Sequence, residues 1–436
     1  MSSNQRTLSI FDILGPIMIG PSSNHTGGAN RIGQISRMIL GEEPTEVNFY
    51  FYGSMAETYK GHMTDSAVIV GLLEMKVDDA RIKDALTIAE KKSIKINVFT
   101  RTLSEKNPNT IELELKSKSN KLKIETVSVG GGEILVTRID EFEMDFRGNK
   151  DMILVVIEND KPETLSKIKE ILGKNVIEIE IIQGNTRCLA CYYVDTFPDE
   201  SILKSIKKME VVNQVRPVKS LYSYKLKNDV PIFKTIKEML FLAKSKNKSL
   251  PQVILDYESK RSGLSKREIE SKMTHIWEAM KDEINQGLEK QNHLIGGLMS
   301  GKDAKMLYQS VREDKLIFGK PLALAVARAI ACGEVNASMG RIVAAPTAGA
   351  VGVIPAVVLT AAEELNSEDE EIVNALLVAS IIGLIIAYKA PVSGAIGGCQ
   401  SEVGVASAMA AAAIVQLAGG NPGQVTQAMS LALKNL

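Results

Sequence analysis

The chain has 436 residues, 45% of them hydrophobic, enough to bury a sizeable core and to form two or three domains. Lys plus Arg and Asp plus Glu each number 52, so no excess of positive charge exists to hold a nucleic acid or an anionic membrane surface. A small neutral or zwitterionic ligand fits this charge balance. The N-terminus, MSSNQRTLSIFDILG, lacks the long apolar stretch of a secretory signal. Four cysteines, Cys188, Cys191, Cys332 and Cys399, are too few for a disulfide framework. Both features predict a reducing, cytoplasmic compartment.

In chain order, residues 1–150 mix helical patterns with alternating apolar runs. VNFYFYG, KINVFTRT, TIELELKS and KLKIETVSV read as strands, 66–74 and 79–91 as helices, and VGGGEI at 129–134 as a tight turn. The pattern predicts an α/β domain. Residues 151–224 switch period from 2 to 3.6 and back in a βαββαβ rhythm, the signature of a ferredoxin-like unit. Within it, Cys188 and Cys191 are three apart on a strand and so face opposite sides, which excludes a shared metal ion. After a polar stretch at 225–229, residues 230–436 show almost no strand signal, and their helices grow richer in Ala, Gly and Val. They predict an all-α domain with its buried centre between Leu322 and Leu417, including Ala375–Tyr388 as a core helix shorter than a bilayer requires. The fold class is therefore α+β multidomain: an N-terminal α/β domain, a ferredoxin-like domain and a C-terminal all-α domain.

Four segments carry candidate chemistry. IGPSSNHTGGANRIG at 19–33 gathers Ser22, Ser23, Asn24, His25 and Thr26 on a bend before a helix. Its hydroxyls and amide can cap that helix, and its backbone amides can receive a carboxylate. By residue type an ordinary capping loop is the plainer reading, and His25 shifts the balance toward a site. YGSMAETYKGHMTDSA at 52–67 places His62 with Lys60, Thr64 and Asp65. An imidazole titrates near neutral pH and can act as a general base, although a single loop histidine is more often solvated.

MGRIVAAPTAGAVGVIP at 339–355 sets Pro346, Thr347 and Gly349 in an apolar run, which reads equally as a site-lining irregularity or a turn between core helices. PVSGAIGGCQSEVG at 391–404 places Cys399 after two glycines, where a thiolate can approach a metal. One cysteine alone does not make an iron-sulfur site.

Together, in this order, GPSSNHTGG, GSMAETYKGHMTD, MGRIVAAPTAGAVGVIP and SGAIGGCQSEVG resemble the signature segments of iron-sulfur L-serine dehydratases, with the β and α parts fused in one chain. The 151–224 stretch resembles the amino-acid-binding ACT modules, although Glu163 stands where that family usually has Gly after the Pro. The resemblance implies conversion of L-serine to pyruvate and ammonia without pyridoxal phosphate, in serine catabolism and gluconeogenesis. It further implies a 4Fe-4S cluster acting as Lewis acid, with Cys399 as the first ligand and His62 as the base. Ser22, Ser23, His25 and Thr26, with Thr347 and Gly349, are implied to face the substrate. The family's other two cluster cysteines lie beyond ALKNL, so the resemblance implies a chain truncated at its C-terminus, its all-α part incomplete. A homo-oligomer acting on a small amino acid is expected. The alternative is an inactive fragment, or an amino-acid-binding regulatory protein that needs a partner to complete the cluster.

Overall fold

The computed structural model describes residues 7–101, 106–158, 162–222, 231–290, 293–294, 300–316, 319–392 and 394–436. The polar stretch predicted at 225–229 lies outside the described residues. The chain forms two compact units, one built from described residues of 24–77 and 81–225, the other from those of 1–23, 78–80 and 226–436. This division differs from the boundaries at 150 and 230 expected from sequence, since both α/β stretches fall in one unit and the first 23 residues join the helical one.

Strand β1 (Ile17–Ile19) belongs to the helical unit. The α/β unit follows with α1 (Ala29–Leu40), β2 (Glu46–Tyr52), α2 (Gly53–Thr58), α3 (Thr64–Leu72), α4 (Ala85–Lys91), β3 (Lys95–Arg101), β4 (Thr110–Lys116), β5 (Lys121–Gly130), β6 (Glu133–Ile139) and β7 (Phe142–Phe146). Strands β2 to β7 make a six-stranded sheet in the order β3-β2-β4-β5-β6-β7, with β2 and β3 parallel and the other pairs antiparallel. Alternation drives this sheet: in β2, Val47, Phe49 and Phe51 are buried, whereas Asn48 and Tyr50 are half-buried.

Helix α1 packs against β5 and against α3. At the α1–α3 crossing a methyl on Gly33 would overlap the Val68 carbonyl oxygen, and one on Gly71 would overlap the Asn30 carbonyl oxygen. The helices therefore touch backbone to backbone. At its other end α1 stops on Gly41, whose φ of 80° is left-handed, and Arg216 Nε donates to the Ile39 carbonyl (3.1 Å).

The second sheet contains β8 (Met152–Glu158), β9 (Val176–Gln183), β10 (Arg187–Val194) and β11 (Val212–Val218), with α5 (Pro162–Leu172) and α6 (Glu200–Lys207) in the crossovers. Its all-antiparallel order, β11-β8-β10-β9, is the ferredoxin-like βαββαβ arrangement. Cys188 packs with Ile153, Ile168 and Tyr192, while Cys191, three residues on, lies outside that cluster. The two thiols point to opposite faces, as their spacing requires.

The helical unit comprises α7 (Ile236–Ser245), α8 (Leu250–Ser262), α9 (Lys266–Glu289), α10 (Asp303–Arg312), α11 (Lys320–Ala337), β12 (Arg341–Val343), α12 (Val353–Leu365), α13 (Asp369–Ala387), α14 (Gly394–Gly397), α15 (Cys399–Leu417) and α16 (Pro422–Lys434). Capping boxes start α7 (Thr235/Glu238), α8 (Ser249/Gln252), α9 (Ser265/Glu268) and α16 (Asn421/Gln424). Among the described residues α13 is the helix long and apolar enough to cross a bilayer. Here it is core, with Ala375–Ile385 buried throughout and packed against α15. The buried centre starts later than Leu322, which is exposed. Helix α11 turns Ala323, Ala327 and Cys332 inward and leaves Leu322 and Val326 outside.

One strand does occur in the part expected to be all helical: β12 pairs antiparallel with β1, Ile17 opposite Val343. Three-residue strands are too short to show alternation, so neither could be read in advance. Glu258 completes the attachment of the N-terminal segment, accepting from Ser9 Oγ (3.0 Å) and the Ile10 amide (3.2 Å) while paired with Arg261 at 2.7 Å. Burial pushes the Glu258 carboxyl up and the Arg261 guanidinium opposes that shift.

The glycine crossing is testable. Gly33→Ala and Gly71→Ala must each separate α1 from α3, and each is expected to destabilise the α/β unit by about 1–3 kcal/mol in urea unfolding followed by circular dichroism. Alanine at the exposed Gly61, where an added methyl meets only the Thr58 carbonyl at 3.8 Å, is the control.

Candidate functional site

The two polar loops at the starts of α1 and α3 meet. Residues Ser23–Gly28 form a π-helical turn leading into α1, and Thr58–Met63 leads into α3. His25 Nδ1 lies 3.0 Å from His62 Nδ1, with the rings edge-on at 4.7 Å between centroids. Thr26 Oγ1 donates to the His62 carbonyl (2.9 Å). Behind His25, its Nε2 lies 3.3 Å from Asn109 Oδ1, and Thr58 Oγ1 lies 3.1 Å from its Nδ1. Met63, next to His62, has φ of 50°, a left-handed conformation that costs a non-glycine residue energy and recurs at functional sites.

These contacts correct the capping expectation for Ser22, Ser23, Asn24 and Thr26. The cap of α1 is Gly28, with no side-chain cap bond, because the extra turn lets Thr26 reach His62 instead. Asn24 Oδ1, Thr64 Oγ1 and Ser66 Oγ are buried without a hydrogen-bond partner among the described residues. Orphaned polar atoms of this kind are costly in a core and make sense beside a ligand. Ser22 and Ser23 precede the point where the chain passes from the helical unit to the α/β unit, and Asn24, His25 and Thr26 follow it.

Electrostatics favours neutral imidazoles. His25 is lowered from 6.5 to about 4, first by burial and then by the neighbouring His62, with the Asn109 hydrogen bond opposing. His62 is lowered too, by burial, against a ring hydrogen bond to the Thr58 backbone. Burial lifts the Asp65 carboxyl. Lys60 is exposed and lies over the Tyr59 ring. A neutral, half-buried imidazole can accept a proton, which a charged one cannot.

In the helical unit Thr347 is buried and its Oγ1 donates to Glu402 Oε1 at 2.7 Å. Glu402 Oε2 lies where a methyl on Gly349 or Gly394 would fall, 2.5 and 2.7 Å away. Glycine at both places lets the carboxylate that accepts from Thr347 lie against the backbone at positions 349 and 394. Cys399, one helical turn before Glu402, is exposed at the start of α15. The other three thiols are buried, and burial pushes both Cys191 and Cys332 up, Cys191 to about 12. Among the described residues no three His, Cys, Asp or Glu gather as a metal site.

Sequence reading missed Asn109, Thr58 and the role of Glu402. Asn109 sits in the NPNT turn before β4 and carried no signal. Glu402 stood in the Cys399 segment, with no pattern linking it to Thr347.

Comparison with known proteins agrees with this two-part arrangement. A model of the serine dehydratase beta chain matches residues 9–138 and one of the serine dehydratase alpha chain matches 245–436. The chain is 41% identical to the "Probable L-serine dehydratase, beta chain" of Bacillus subtilis, over 48% of this chain and 97% of that protein. It is 39% identical to the corresponding "alpha chain" of that organism, over 47% of this chain and 68% of that protein. A single-chain "L-serine dehydratase" of Streptomyces coelicolor is 28% identical over 98% of this chain and 82% of its own length. The chain belongs to the serine dehydratase family, with the β and α parts fused in one polypeptide.

The depressed His25 predicts the acid behaviour of the fold. The unfolded chain binds a proton on this residue below about pH 6.5 and the folded chain does so only below about 4. Stability is therefore complete above 6.5 and falls as pH drops through that window, by about 3 kcal/mol. Urea titrations from pH 7 to 4 measure this loss, and His25→Gln is expected to flatten it.

Proposed function

We propose that this chain is an L-serine ammonia-lyase, converting L-serine to pyruvate and ammonia without pyridoxal phosphate. The observation that carries the reading is the neutral, half-buried His62, held by the His25 loop at the start of α3. His62 takes the α-proton of serine and returns it to the departing β-hydroxyl, which leaves as water, so that aminoacrylate forms and His62 is neutral again. Tautomerisation gives the imine of pyruvate, and a second water releases ammonia. Ser22, Ser23, His25 and Thr26, with Thr347 and Gly349 in the helical unit, are proposed to face the substrate. In the same loop as His25, Asn24 Oδ1 is buried with no hydrogen-bond partner among the described residues.

A 4Fe-4S cluster is the proposed cofactor, with Cys399 as its ligand. The thiols in this chain do not fit a whole cluster, since Cys399 is exposed and Cys188, Cys191 and Cys332 are buried in a sheet or a core helix, so no step is derived through it. That single exposed thiol also favours a second reading, in which the chain needs thiolates from a partner to become active. The 151–224 unit is proposed as ACT-like, and a homo-oligomer in the cytoplasm is the proposed state.

Two measurements test the reading. Protein reconstituted anaerobically with iron and sulfide is expected to release pyruvate from L-serine, and His62→Gln to lower kcat by roughly 10²–10⁴-fold with the fold intact. Undiminished turnover in that variant removes His62 as the base. Cys399→Ala is expected to abolish bound iron and sulfide. Folded wild-type protein that binds both yet forms no pyruvate rules out the lyase reading, and folded protein that binds neither supports the need for a partner.

A further inference from the structure

The His25–His62 contact sets a proton-counting constraint. Two neutral imidazoles whose Nδ1 atoms lie 3.0 Å apart must share one hydrogen between those nitrogens, because two hydrogens would clash and none would leave two lone pairs opposed. The question is which ring carries it. Asn109 answers from the far side: its carbonyl oxygen Oδ1 faces His25 Nε2 at 3.3 Å and can only accept. His25 therefore carries its hydrogen on Nε2, and its Nδ1 is the acceptor. Thr58 Oγ1 gives its one hydrogen to the Ser54 carbonyl at 2.7 Å and lies 3.1 Å from His25 Nδ1. The hydrogen between the rings then belongs to His62 Nδ1. His62 Nε2 is then left without a hydrogen.

We propose that His25 and Asn109 are positioning residues that hold His62 in its Nδ1–H form, so that Nε2 is the unprotonated nitrogen offered to the substrate. This rests on His62 as the base of the proposed reaction, and it moves His25 from a substrate contact to the residue that orients that base. The arrangement follows the logic of a triad, in which an acceptor fixes one ring and that ring fixes the next. The Thr26 bond to the His62 carbonyl and the Thr58 carbonyl bond to the His62 amide (3.1 Å) hold the backbone while the tautomer is set.

Nitrogen-15 labelling of histidine decides the matter in the full chain, which has only four histidines to assign. Long-range proton–nitrogen correlation at pH 7 is expected to show His25 protonated on Nε2 and His62 on Nδ1. A His62 protonated on Nε2 overturns the proposal. Asn109→Ala is expected to let His62 shift to the Nε2–H form and to lower kcat by on the order of tenfold or more with little change in KM. Asn109→Asp keeps the acceptor and is expected to keep the wild-type pattern. An unchanged His62 tautomer in Asn109→Ala, with the variant folded, also overturns it; if that variant does not fold, the wild-type spectrum decides alone. The spectrum needs no turnover, so the expected tautomers together with full activity of His62→Gln would leave this inference standing and sink the base assignment.

Discussion

The geometry of the histidine pair depends on a contact that has no side chain in it. Each histidine loop leads directly into a helix, and those helices cross where Gly33 and Gly71 lie against backbone carbonyls. A single methyl at either place would move one helix against the other. Since a hydrogen bond weakens sharply over a few tenths of an ångström, the approach of two imidazoles to 3.0 Å requires helices this close. The anchoring of α1 at its far end, where Arg216 reaches the Ile39 carbonyl beyond Gly41, holds the same helix in register with the ferredoxin-like sheet.

The fold shows two ways of keeping polar groups inside. Around Glu258 the charges are retained and paired, with Arg261, Ser9 and the Ile10 amide meeting one carboxylate. Around His25 charge is removed, and neutral groups satisfy one another by direction. The first arrangement holds a segment in place and would be weakened by losing any partner. The second leaves a nitrogen available, which a saturated ion pair does not.

Much of the fold was legible because burial writes a period into the sequence. The alternation in VNFYFYG and KLKIETVSV gave β2 and β5, the βαββαβ rhythm gave the antiparallel order of the second sheet, and the apolar run at 375–388 gave the core of α13. What stayed hidden depends on partners distant in sequence. Strands β1 and β12 are too short for a period, and their pairing drew the first 23 residues into the helical unit. The histidines were legible as reactive types in glycine-rich loops, but their contact with each other and with Asn109 was not. The capping that the residue types of the Ser22–Thr26 loop allow at α1 does not occur, because an extra turn redirects Thr26 to His62.

The pairing of Ile17 with Val343 also has a consequence for the order of assembly during synthesis. The α/β unit lies, along the chain, between the two strands of that pair, so it can fold while β1, which belongs to the helical unit, still waits for a partner that has not been made. Translation thus delivers the pieces of the helical unit first and last. A chain severed in the segment after β11 would leave β1 and the Ser9–Ile10 turn on one fragment and β12 and Glu258 on the other, so the two fragments would retain a strand pair and a carboxylate bond with which to find each other.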